Sequence, residues 1–130
     1  MTETNQYRAR SQTSALIRGF GASRMAIGAA SWLAPSLATR AFGLGASAEQ
    51  PIVAQLFGAR EFALGALTAG GSGAALRAGI AIDAVDTIAS LRNMRAGAFS
   101  PQAKLLVAAG AAAFTAVGLA ALAAEPPLAA

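Results

Sequence analysis

Five ionisable residues sit where an apolar chain has least reason to carry them. Arg60 and Glu61 stand side by side in FGAREFALGA (57–66), and Arg24 interrupts FGASRMAIGA (20–29). Asp83 and Asp86 punctuate GIAIDAVDTIAS (79–90). Carboxylates can carry protons, whereas a guanidinium keeps its proton and acts as a fixed positive charge. The residue types that are missing narrow the chemistry further. There is no Cys and no His. Disulfides, thiol catalysis, Cys-ligated metals, a histidine base and His-ligated haem are therefore excluded. Ser and Thr have no His to activate them, and the only lysine is Lys104. AGGSGAAL (69–76) is glycine-rich but lacks the lysine and preceding strand of a phosphate loop, so it reads as a tight turn. We expect no catalytic residue, no metal site and no cofactor.

The charges follow an internal repeat. FGASRMAIGA and FGAREFALGA match at six of ten positions with a period of 37 residues. Arg24 and Glu61 are equivalent and opposite in charge. Each has a glycine three before and four after: Gly21 and Gly28 around Arg24, Gly58 and Gly65 around Glu61. On a helix these positions share one face. Each charge then lies in a groove of bare backbone, which permits close helix approach. Gly79, Asp83, Asp86 and Ser90 share a face of the third apolar segment. Gly110 and Gly118, with Ala111 and Thr115, give the fourth a small-residue surface.

The elements that position these groups are four apolar stretches: 13–33, 52–69, 74–91 and 103–124. Each has roughly the 17–25 residues that a helix needs to cross a hydrocarbon core of ~30 Å. Pro35 follows the first, Pro51 can enter the first turn of the second, and Ser72 can cap the third. Ser100–Pro101 reads as N-cap and first helical residue of the fourth. No stretch alternates with period two, so strands are not expected. The expected fold is all-α: an antiparallel four-helix transmembrane bundle over 13–124, with a polar tail at 1–12, a C-terminal tail at 125–130, and loops near 34–51, 70–74 and 92–102. SLATRAF (36–42) is either an interfacial piece, with Leu37 and Phe42 down and Arg40 up, or an irregular loop.

Composition agrees with a bilayer as partner. Hydrophobic residues make up 55% and charged residues 12%, against about 25% charged in a soluble domain. Mean hydropathy is +0.53. The net charge of +4 does not point to nucleic acid, because the basic residues are scattered and lie at segment edges. The polar start followed by an apolar segment with two arginines makes a poor signal-peptide core. Trp32 and Phe42 read as interfacial anchors, and Arg92, Arg95 and Lys104 as headgroup contacts. Arg8, Arg10, Arg18 and Arg77 fall on one side and Arg40, Arg92, Arg95 and Lys104 on the other. That is a tie, and the first helix tips it toward cytoplasmic termini.

Depth assigns partners. Helices joined by short loops run antiparallel, so Arg24 and Glu61 should meet near mid-depth. Arg60 points about 100° away from Glu61 and should reach Asp83. A charge there costs ~2.5–3.5 kcal/mol, so all five groups must turn inward and pair. Two arginines against three carboxylates leave one carboxyl over, which by this pairing is Asp86.

The run SRMAIGAASWLAPSLATRAFGL, then FGAREFALGAL, then AIDAVDTIASL, resembles a pattern in small four-helix bacterial membrane proteins of unknown function. These are common in actinobacteria and loosely similar to the DoxX-like group. The resemblance covers the first three segments and implies a four-helix membrane fold with an accessory role near redox complexes. It implies no catalytic residue. A membrane enzyme acting on lipid has no nucleophile to point at, which leaves two functions open. One is a structural or accessory subunit, partnered by a larger membrane complex or by further copies of itself. The other is a small proton-coupled transporter using Asp83 or Asp86.

Overall fold

The computed structural model describes residues 3–43, 50–95 and 100–124. The C-terminal tail at 125–130 and the middle of the two longer loops lie outside the described residues. Five helices follow in order: α1 Glu3–Leu33, α2 Pro35–Ala41, α3 Gln50–Ala69, α4 Gly73–Arg95 and α5 Pro101–Ala123. Among the described residues there is no strand.

Two elements differ from the sequence expectation. The polar start, expected as a tail to residue 12, is helical from Glu3 onward. Nothing between Glu3 and Leu33 breaks a helix: there is no proline, and Glu3 lies in the first turn, where the helix dipole favours an anion. The second difference is α2, which makes the count five rather than four. Pro35 opens it with its ring-fixed φ, and Gly43, at φ 67°, follows its end. Thr39 is buried and Phe42 meets the Phe57 ring edge-on at 6.2 Å, while Leu37 stays exposed.

The turns use the residues expected of them. Gly71 takes φ 91° between α3 and α4, and the Ser72 amide donates to Leu67 O. Ser72 Oγ then accepts from the Ala75 amide. Ser100 caps α5 by accepting from the Ala103 amide, with Pro101 next, and its hydroxyl donates to Gly43 O.

The long helices contact one another in the cyclic order α1–α3–α4–α5 and back to α1. The α1–α3 contact is the most extensive and the α4–α5 contact comes next. Across the ring, α1 and α4 do not approach backbone to backbone. At α5, Gly118 lies under Ile80 of α4, and Phe114 tilts against Phe20 of α1 at 5.5 Å.

The α1–α3 contact is symmetric in detail. A methyl group on Gly21 would meet Gly65 O and Ala69 N; one on Gly58 would meet Gly28 O and Trp32 N. A methyl on Gly28 would meet Phe62 N, and one on Gly65 would meet Met25 N. Adding 37 to each α1 position, and subtracting it from each α3 position, turns every contact into its mate. The two repeat copies thus pack on each other about a local two-fold axis. Arg24 and Glu61 lie at its centre, and Ser31 and Thr68, also equivalent, are both buried.

Gly28→Ala or Gly65→Ala should therefore destabilise by about 1–3 kcal/mol, because each methyl would come within 3.0 Å of opposing backbone. Gly110 has nothing within 4 Å of such a methyl, so its expected place in a helix contact is not occupied in this chain. Gly110→Ala should be neutral or gain up to roughly 1 kcal/mol from helix propensity. Thermal unfolding of the purified variants measures the contrast.

Candidate functional site

The five charged residues come together as one alternating chain. Arg24 projects from the glycine-lined face of α1 across the space between α1 and α4. Its Nη1 donates to Asp83 Oδ2 at 2.5 Å and its Nη2 to Asp83 Oδ1 at 3.2 Å. Nη2 also donates to Glu61 Oε1 at 3.0 Å. Glu61 Oε1 in turn accepts from Arg60 Nε at 3.3 Å and Nη2 at 3.2 Å. Arg60 Nη2 completes the chain by donating to Asp86 Oδ2 at 2.7 Å. The order is Asp83–Arg24–Glu61–Arg60–Asp86, with charge alternating at every step.

This corrects the pairing expected from depth. Arg60 holds Asp86, not Asp83, and Asp83 belongs to Arg24. No carboxyl of the five is left over: Glu61 lies between two guanidinium groups and is shared. Asp83 and Asp86 are about 60° apart around α4. The ring order turns Asp83 toward α1 and Asp86 toward the outer side of α3.

Burial divides the chain in two. The Arg24 side chain is 1% exposed, Glu61 4% and Asp83 6%. Arg60 and Asp86 are 33% and 35% exposed. Gly79, one turn before Asp83, lies beside the Arg24 guanidinium: a methyl there would stand 3.4 Å from Nη1, an ordinary contact.

Aromatic rings that the charge pattern did not reveal complete the setting. Phe20 and Phe114 flank the Arg24 guanidinium, with centroids 5.7 and 5.3 Å away. Phe57 lies 5.2 Å from that of Arg60. Ring faces attract a guanidinium by about 0.5–2 kcal/mol each. Phe20 and Phe57 were available as a signal, since the repeat places a phenylalanine one turn before each arginine. Phe114 comes from α5, outside the repeat. Among the described residues, Arg24 Nε is the one buried side-chain nitrogen or oxygen without a hydrogen-bond partner.

The arrangement holds charge in place. Each of its three carboxylates faces a guanidinium, and no described group of His, Cys, Asp and Glu is set to hold a metal ion. No protein-family model, curated protein or solved structure matches the chain.

Three variants should separate the inner and outer links. Asp83→Asn leaves the buried Arg24 short of an anion and should cost about 3–5 kcal/mol. Asp86→Asn acts on a partly exposed pair and should cost about 1 kcal/mol or less. Exchanging the repeat pair, Arg24→Glu with Glu61→Arg, should improve on Arg24→Glu alone but stay well below the wild type, because position 24 regains its partner at 61 while Asp83 still faces a carboxylate. Unfolding midpoints in which the exchange recovers the full wild-type stability would overturn the Arg24–Asp83 link.

Proposed function

We propose that this chain is a multi-pass integral membrane protein whose role is structural: an accessory subunit or helix-packing partner in a membrane assembly. In this reading α1, α3, α4 and α5 cross the bacterial inner membrane as an antiparallel four-helix bundle, with both termini on the cytoplasmic side. Lipid is then its first partner.

The observation that carries the reading is inverted burial. The buried residues include Arg24, Ser31, Thr39, Glu61, Thr68, Asp83 and Ser90. Meanwhile Leu33, Leu56, Leu67, Val85, Ile88 and Leu105 are exposed, each by more than half. In water that distribution has the wrong sign. In hydrocarbon it is favourable, because polar groups must find partners inside while apolar side chains meet lipid. Two helices, over Pro51–Ala69 and Pro101–Ala123, are long and apolar enough to cross. The remaining two carry more polar residues, and the charge chain matches most of those at mid-depth with a partner.

A complete network favours structure over transport. A proton-coupled carrier needs a carboxyl that can release its proton during the cycle. Here Asp83 and Glu61 are buried and held by Arg24. Asp86 is the one network carboxyl with substantial exposure, and it alone keeps the carrier reading in view. The resemblance to DoxX-like proteins adds an accessory place near a larger complex to the same proposal.

The test joins location to mechanism. The protein should stay in the membrane through a carbonate wash and co-purify with an assembly in mild detergent. Asp86→Asn should leave proteoliposome uptake at the background level of the wild type. Proton-linked flux in the wild type that vanishes in a normally folded Asp86→Asn would replace the structural reading with the carrier.

A further inference from the structure

The charge chain does not end inside the protein. Its outer link, Arg60 with Asp86, keeps a third of each side chain exposed on the outer side of α3 and α4. Both residues lie near the middle of their helices. If the chain spans a membrane, as proposed above, that puts two partly uncovered charges at the depth where uncovered charge is most costly. Their surroundings are apolar. Leu56, Arg60, Ala63 and Leu67 follow one another at spacings of four, three and four, so they form one stripe along α3. Leu56 and Leu67 are 68% and 58% exposed. The stripe is therefore an open apolar strip with a paired charge at its centre.

A cover that is apolar along its length and brings one positive and one negative group to the same depth complements such a strip in both respects. The strip itself meets that description. Arg60 and Asp86 are adjacent, opposite in charge and equal in depth. A two-fold axis along the membrane normal keeps depth unchanged, and it sets residue i against j and j against i. Arg60 of one copy would then face Asp86 of the other, twice over, in a closed ring of four alternating charges.

We propose that the chain forms a homodimer through this α3–α4 face, with Arg60 and Asp86 exchanging partners reciprocally across the two-fold axis. The proposal rests on the membrane reading, since in water a pair this exposed needs no cover. Within the dimer the alternating chain runs through both copies without a break: each outer link closes on its counterpart. The leucines on either side exclude lipid from the charges.

The chain has no cysteine, so one introduced thiol reports one place. Ala63→Cys and Leu67→Cys, in otherwise unchanged protein in native membranes, should give an adduct of twice the 12.9 kDa chain with a short bifunctional thiol reagent. Leu119→Cys on α5, also exposed, should not. Charge then identifies the contact. Arg60→Asp makes the face wholly negative and Asp86→Arg makes it wholly positive. In an Ala63→Cys background, either variant alone should lose about tenfold or more of its adduct, because like charges meet. Co-expression of the two should restore it as a mixed dimer, seen with tags of different size.

Failure to form the Ala63→Cys adduct in a chain that withstands carbonate extraction would overturn the dimer and leave the membrane reading intact. An adduct of any other mass would also overturn it, because a different protein would then occupy the face. Release of the chain by carbonate would overturn the membrane reading and the dimer together. Single charge variants that still form the full adduct would show that Arg60 and Asp86 do not pair across the axis.

Discussion

One side chain spans what no backbone spans. α1 and α4 lie across the helix ring from each other, too far apart for their backbones to touch. Arg24 fills that distance with its stem and planar fork, and holds α3 and α4 at once through Glu61 and Asp83. A fork with several fixed donors can serve two carboxylates, where an ammonium would be a single point of charge. The rest follows from housing it. Glycines at 21, 28, 58 and 65 bring α1 and α3 close enough for Glu61 to reach it. Phe20 and Phe114 flank it with ring faces.

The surrounding core is small in apolar terms. Phe20, Leu76 and Ala121 form its buried cluster, with Ile17, Ile80, Phe114 and Leu122 packed against them. That cluster lies between α1, α4 and α5 and leaves the α1–α3 contact to bare backbone. Two kinds of cohesion thus divide the ring. On one side glycines allow van der Waals contact between backbones, which is the means open to helices in lipid. On the other, ordinary side-chain packing fills the space. The charge chain runs between them and fixes the rotation of α1, α3 and α4, because shifting any of these three by one residue would swing its charge about 100° away from its partner.

Much of this was legible in the sequence, for identifiable reasons. Ser72 and Ser100–Pro101 announce helix starts through local chemistry that tertiary structure has no reason to override. The meeting of Arg24 with Glu61 was legible because the repeat and its glycines fix both depth and face. The assignment of Asp83 and Asp86 was not. Three residues apart, they differ by a modest rotation, and which one faces inward depends on where α5 docks. Helix α5 is rich in Ala and Leu, and of its two glycines only Gly118 marks a contact with α4, while Gly110 faces open space. The long start of α1 was illegible because a polar helix and a polar tail have the same composition. Helix α2 stood open between two readings, since seven residues are too few for periodicity to decide.

The local two-fold between the repeat copies bears on how such a chain can arise. If two identical helices pack antiparallel about an axis, the residue on the axis meets its own copy. An arginine would face an arginine, and a glutamate a glutamate. Every other contact in the pair can be inherited twice without conflict, and here Gly21, Gly28 and their mates at 58 and 65 have stayed the same. At the axis alone, identity is forbidden and difference is rewarded. Joining the two copies in one polypeptide releases that position from self-pairing, and it is there that this chain carries Arg24 against Glu61. The opposite charges at the centre are thus a pairing that two halves of one polypeptide can carry and two identical chains cannot.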